Sequence, residues 1–237
     1  MDEILILISF GPDGWGDEIA QGVLITVLLA VATLPFGLLL GFVLALAKKS
    51  EEPSLRAAAN IYTTIFRGLP ELLTLFLVYY GGQILLQQAL GALFGDVRIE
   101  VNSFVAGMIA LAFVFSSYAS EAFLSAFRGI AQGQYEGAYA LGISRFKTMR
   151  LVILPQLIRL SLPALGNLWL ILLKETSLVS VIGLSDIVRQ SGIAARVTKE
   201  PFLFFGVACL IYLVLAMFSS VGLNRIEAWT KRGEVRR

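Results

Sequence analysis

Five stretches of this chain, each of about twenty residues or more, are apolar and almost free of charge, and no other feature restricts the fold as strongly. Gly22 to Ala47, Leu72 to Gly95 and Pro201 to Leu223 contain no Asp, Glu, Lys or Arg, while Ser103 to Phe127 carries only Glu121 and Leu160 to Leu184 only Lys174 and Glu175. About twenty apolar residues in an α-helix cross the hydrocarbon core of a bilayer. Composition points the same way: 57% of the residues are hydrophobic and 15% charged, against about a quarter charged in a soluble domain. The pattern predicts an all-α, polytopic membrane protein forming one domain. Its five spans fall at about residues 20–47, 70–95, 102–127, 158–184 and 201–224, with a polar loop at 132–155. Residues 1–18 carry Asp2, Glu3, Asp13, Asp17 and Glu18 and no basic n-region, so the first apolar run reads as a retained span and not as a secretory signal.

Five spans put the two ends of the chain on opposite sides, and the basic residues say which is which. One set of loops holds Lys48, Lys49, Arg56, Arg128, Arg145, Lys147, Arg150, Arg225, Lys231, Arg232, Arg236 and Arg237; the other holds only Arg98, Arg189, Arg196 and Lys199. Twelve against four predicts the N-terminus out and the C-terminus in the cytoplasm, which places the 132–155 loop on the cytoplasmic side. Between the first two spans, Gly68 and Pro70 interrupt a helical ladder. The break reads either as a kinked entry to the second span or as irregular backbone lining a pathway, since in a membrane such backbone survives only under protein or water.

Charges inside spans are costly and mark function more often than packing. Glu121 stands seven residues before Arg128, about 10 Å of helix from the boundary. Tyr118, three residues earlier, shares its face, and Ser117 adds a hydroxyl nearby. Lys174 and Glu175 fall near mid-bilayer and, as neighbours on a helix, point about 100° apart, so at least one faces a partner or cavity. Glu121, Tyr118, Ser117, Lys174 and Glu175 are therefore the candidate substrate-binding residues, with pairing to another helix the alternative for each charge. Gly37 and Gly41 are small residues that allow helices to approach closely. The chain has no histidine and a single cysteine, Cys209. An intramolecular disulfide, a thiolate metal site and the commonest proton relay are thereby excluded. No metal, cofactor or nucleic-acid partner is expected, and no Gly-x4-Gly-Lys-Ser/Thr phosphate loop is present to hydrolyse ATP.

The loop itself is specific. Glu136 to Pro155 reads EGAYALGISRFKTMRLVILP, a polar helix-turn-helix pattern in which Gly142 supplies a turn and Ser144 an N-cap for the helix from Arg145 onward. Its spacing resembles the EAA loop of membrane permeases in ATP-binding-cassette (ABC) importers: Glu-Ala-Ala, three residues, Gly, nine residues, aliphatic-x-Leu-Pro. Glu136, Ala138, Gly142, Val152, Leu154 and Pro155 fit, and Gly137 stands where the pattern has alanine. The resemblance continues through Phe66–Leu72, Ser117–Glu121, Leu162–Trp169 and Leu173–Leu184, which are similar to the polar amino-acid permease family, most of all its Q-type subunits for histidine, lysine–arginine–ornithine and the opines octopine and nopaline.

That likeness implies a type I importer of the bacterial inner membrane. Two permease subunits form the pathway, here with a related M-type chain as the second. A cytoplasmic ATPase homodimer supplies power, and a periplasmic solute-binding protein delivers an amino acid or opine. It also implies that Glu136, Gly137, Ala138, Gly142, Leu154 and Pro155 form the ATPase-coupling loop. The competing class is an ion- or proton-coupled carrier, for which a relay of buried carboxylates or histidines and an inverted repeat are expected. A membrane-embedded enzyme fits less well still, for want of a nucleophile system or metal cluster.

Overall fold

The computed structural model describes residues 6–94 and 100–231. Asp2, Glu3, Arg98, Arg232, Arg236, Arg237 and the expected span boundary at residue 95 lie outside the described residues. Among those described there is no strand. Helix α1 runs over Gly16–Lys49, with Asp17 and Glu18 in its first turn and Lys48 and Lys49 in its last, each sign set against the opposite end of the helix dipole. Helix α2, Pro53–Gly68, ends at the Gly68-Leu69-Pro70 break, where Leu69 is extended. Helix α3 then starts at Glu71 and continues through a π segment at Leu77–Gly81 to Phe94. The two helices are bent by 109°. The Gly68/Pro70 signal thus produces a sharp change of direction, and α2 stands apart from α3 as a helix of its own.

Helix α4, Ser103–Gly129, is capped by Asn102, whose side chain accepts from the backbone N–H groups of Phe104 and Val105. The short α5, Gln132–Ala140, lies in the polar loop. Helix α6 runs without interruption over Arg145–Ile182. Its fourth-span portion was expected to start near residue 158, but the second helix of the loop and the span are one helix. Proline at Pro155 does not end it, because Leu154 N–H donates to the Met149 carbonyl in a π turn over Met149–Ile153. That wider turn makes room for a ring that would clash with the carbonyl four residues back. Helix α7, Ile187–Thr198, was read as loop in the sequence. It turns Ile187, Ala194 and Ala195 inward and is too short and polar to register as a span. Helix α8, Pro201–Lys231, completes the chain. Among the described residues four helices are long and apolar enough to cross a membrane (α1, α4, α6 and α8), or five if the bent α2–α3 pair is counted as one span.

Helix α4 is the centre of the bundle. It packs most extensively on α1 and next on α6, and carries the buried Leu111, Phe115, Phe123 and Phe127 into a core shared with Leu29, Ile153, Leu157 and Val179. The α1–α4 contact is close because Gly37 and Gly41 lack side chains: a Cβ on Gly41 would sit 2.8 Å from Ala119 Cβ and 3.0 Å from the Ser116 carbonyl oxygen. The outward faces are apolar as well, with Leu24, Phe36, Leu39, Leu210 and Phe218 exposed. That suits a protein whose solvent at those surfaces is hydrocarbon.

Candidate functional site

Three charges meet where the ends of α1 and α2 approach the middle of α4. Lys48 Nζ lies 2.6 Å from Glu121 Oε1, and Arg67 Nη1 lies 3.2 Å from the same oxygen. The Lys48 side chain is almost fully enclosed at 4% exposure, whereas Glu121 and Arg67 are 41% and 46% exposed. Lys48 also donates to Ser120 Oγ at 3.4 Å, and the Arg67 guanidinium lies over the Tyr118 ring at 5.6 Å, a cation–π distance. Arg67 is held here by its neighbours in α2. Tyr62 donates or shares its hydroxyl with Ser116 Oγ at 2.9 Å and packs its ring against Phe66 and Phe113. Arg67 immediately precedes the Gly68–Pro70 break, so the irregular backbone borders this charged group.

The structure brings together two of the five sequence candidates, Glu121 and Tyr118. Ser117 is fully buried, and its hydroxyl donates to the Val114 carbonyl at 2.7 Å, turned into its own helix. Lys174 and Glu175 sit elsewhere. Val179 of α6 packs against Gly107 of α4, so in antiparallel register Glu175 is level with about residue 111, roughly 15 Å along the axis from Glu121. Lys174 is exposed and forms no ion pair with any described residue. Around Glu175 the nearby charges are those of Glu71 and Lys174.

Sequence reasoning missed Lys48 and Arg67 as partners of Glu121. Lys48 had been counted among loop cations, although it follows an uncharged run directly and a helix extended by one turn carries it level with Glu121. The cluster holds two cations for one carboxylate. It is therefore a net positive group with one open carboxylate edge, in which Glu121 is paired with cations of its own chain.

The 132–155 loop forms a second site at the same end of the bundle. Gly142 has φ +71°; its N–H donates to the Tyr139 carbonyl and the Ile143 N–H to the Ala138 carbonyl, the paired bonds of a Schellman motif. Ser144 occupies the N-cap position of α6 without a side-chain capping bond. Lys49 lies over the Phe127 ring at 4.4 Å and donates to the Tyr135 hydroxyl at 3.5 Å. Gln156 Nε2 donates to Gln134 Oε1 at 3.2 Å. Those contacts tie α5 to the ends of α1, α4 and α6. Ala138 is buried beneath it, while Glu136, Gly137, Gly142 and Pro155 are exposed, Leu154 is partly buried, and Tyr139, Leu141 and Phe146 stand out into solvent.

The far end of the bundle holds a buried acid the sequence did not single out. Asp186 is fully buried and caps α7 by accepting from the Arg189 N–H at 2.9 Å. Burial pushes its carboxyl up to about 6, against the opposing pull of the Arg189 and Val188 amides and the Arg189 charge.

The chain is similar to known proteins over most of its length. The family described as "Binding-protein-dependent transport system inner membrane component" matches residues 34–228. The chain is 41% identical to the nopaline transport system permease protein NocQ of Agrobacterium fabrum, over 97% of this chain and 98% of the relative. It is 38% identical to the histidine/lysine/arginine/ornithine transport system permease protein HisQ of Salmonella typhimurium, over 90% and 93%. Among solved structures, an amino acid ABC transporter crystallised with histidines superposes with a TM-score of 0.76 at 33% identity, covering 90% of this chain and 94% of that one. The methionine transporter MetNI, inward facing, shares the fold at a TM-score of 0.70 and 16% identity, over 91% and 97%. A bundle centred on α4, with a polar helical loop at one end and a match over most of its length, belongs to the binding-protein-dependent transport system inner membrane component family.

Proposed function

We propose that this chain forms one side of the translocation pathway of a binding-protein-dependent ABC importer for a basic amino acid or an opine, and that Arg67, Glu121 and Tyr118 handle the substrate as it passes. As a permease subunit it leaves ATP hydrolysis to a separate ATPase. The observation that carries the residue assignment is the Arg67–Glu121 pair: both side chains are about half exposed, whereas Lys48 behind them is enclosed. An amino acid presents a carboxylate and at least one ammonium or guanidinium. Arg67 offers a planar donor fork to the former. Among the described residues Glu121 uses only Oε1 for its polar contacts, which leaves its other oxygen for the latter. Tyr118 adds a ring beside the same space. Lys174 and Glu175 would serve a passing substrate at a separate level, about 15 Å away.

The remaining assignments follow the family. The 132–155 loop, with Glu136, Gly137, Ala138, Gly142, Leu154 and Pro155, docks on the ATPase homodimer. A second permease of the M type completes the pathway, and a periplasmic solute-binding protein delivers cargo. The loop faces the cytoplasm, as the distribution of basic residues indicates. The chain has no histidine, and Glu121 is held by two cations instead of standing beside another acid, which weighs against a proton-coupled carrier. Uptake by proteoliposomes containing the permeases and ATPase tests the reading directly. Arginine or nopaline accumulation should require both ATP and binding protein. Accumulation driven by a proton gradient alone would refute it.

A further inference from the structure

At the end of the bundle opposite the 132–155 loop, two grooves join along the start of α8. The first, about 590 Å³, is lined by Gly192, Ala195, Arg196 and Lys199 of the α7 end and by Pro201 and Phe205. The second, about 340 Å³, shares Pro201 and Phe205 and continues past Phe202 and Gly206 to Cys209. The upper part is basic and the lower part entirely apolar. Arg196 and Lys199 are exposed, and neither forms an ion pair with any described residue, the adjacent Glu200 included. Among the described residues Arg196 uses only its Nε–H, on the Gly192 carbonyl. Lys199 occupies a left-handed backbone conformation, φ 62°, which glycine would adopt without steric cost. Lys199 lines the groove together with Arg196.

Depth in the membrane fits the same division. The apolar span begins at Pro201, so Arg196 and Lys199 lie at the boundary, and Cys209 lies about 12 Å farther in at 1.5 Å per residue. We propose that this surface binds one anionic phospholipid. Arg196 and Lys199 take its phosphodiester, and an acyl chain lies against Phe205, Gly206 and Cys209. Charge decides between possible occupants: an apolar partner helix would leave both cations unanswered in a groove whose lining has no acid, and a zwitterionic lipid sets its own headgroup ammonium against them, whereas an anionic lipid brings a net negative charge.

The test is native mass spectrometry of the purified full-length chain in mild detergent, titrated with phosphatidylglycerol or with phosphatidylcholine of identical acyl chains. One phosphatidylglycerol should be retained at about fivefold lower concentration for each cation engaged. R196Q/K199Q should equalise the two lipids. Gly206→Leu should lower retention of both severalfold while leaving the preference for the anionic headgroup intact; a Cβ at this exposed position meets nothing within 4 Å, so the larger side chain extends into the groove and not into the bundle. Excess inorganic phosphate should not displace the bound lipid. Equal retention of the two lipids by the unaltered chain would overturn the proposal, as would a preference that survives R196Q/K199Q, displacement by phosphate, or Gly206→Leu without effect. Circular dichroism of both variants establishes that the helices are intact.

Discussion

Lys48 determines what can be learned from changing Glu121. Replacing the carboxylate by an amide leaves an ammonium at 4% exposure with neutral acceptors in place of a counter-charge, Ser120 Oγ and the amide oxygen. Exposed ion pairs contribute about 0–1 kcal/mol, while breaking a buried one costs about 3–5 kcal/mol. With one partner enclosed and the other open, Glu121→Gln should cost about 2 kcal/mol of stability, and Lys48→Met combined with it should recover most of that loss. Arg67→Gln should leave stability nearly unchanged and reduce uptake of the cationic substrate, since Arg67 is half exposed. Thermal unfolding and uptake on the same three variants separate the roles. If Lys48→Met failed to rescue Glu121→Gln, the pair would not be the structural unit described here. Asp186 gives a second residue-level expectation, this time in pH. Its carboxyl is raised to about 6 from 3.8, so the folded chain binds that proton more tightly than the unfolded chain. Stability from this group is therefore present below about pH 4 and lost as pH rises toward 6, on the order of 3 kcal/mol in all. Asp186→Asn keeps the Oδ1 cap and removes the ionisation. Melting of the detergent-solubilised chain between about pH 4.5 and pH 7.5 should slope downward for the unaltered protein and flatten in the variant; identical slopes would show that Asp186 does not titrate in this window.

At the scale of elements, what could be read from the sequence and what could not have distinct physical causes. Helical spans were legible because lipid leaves an uncharged run no other way to satisfy its backbone. The α2–α3 bend and the Gly142 turn were legible because proline and glycine act locally. What was lost depended on tertiary register. Lys48 belongs to a basic helix end by sequence and to a buried ion pair by packing, and only the α1–α4 approach decides between them. Ser117 looked available but satisfies itself on the preceding turn, as hydroxyls in helices commonly do. Helix α7 is half apolar and only twelve residues long, so a search for span-length runs passes over it. The α1–α4 contact is itself testable. At Gly37 the obstruction to a Cβ is the Phe115 ring edge, which can rotate; at Gly41 it is Ala119 Cβ and a backbone carbonyl, which cannot. Gly41→Val should therefore destabilise by about 1–3 kcal/mol or more through overpacking, and Gly37→Ala by less. Comparable losses at both positions in chemical unfolding would contradict this ordering.

Considered whole, the molecule has two unlike ends. One gathers Lys48, Lys49, the Glu121 cluster and the 132–155 loop, cross-linked through Tyr135, Gln134 and Gln156. The other gathers α7, Asp186 and the start of α8. Helix α5 is thereby tied to α1 and α6, whose inner surfaces carry the core packed on α4, an arrangement that suits the coupling role proposed for the loop. Which end faces the cytoplasm rests on the charge count, because a basic loop is retained on that side. The sole cysteine, Cys209, lies on the exposed surface of α8, so Cys209→Ala supplies a clean background for single-cysteine labelling. Cysteines introduced at Ser50 and Arg145 should react with an impermeant maleimide only in inside-out vesicles, and those at Asp13 and Arg196 only in intact spheroplasts. Asp13, Arg145 and Arg196 are exposed and Ser50 is partly exposed, so failure to label at the first three reports sidedness and not burial. Labelling at 145 from the outer face alone would invert the molecule. It would remove the loop from any cytoplasmic ATPase and place the Lys48–Glu121–Arg67 cluster near the outer end of the pathway.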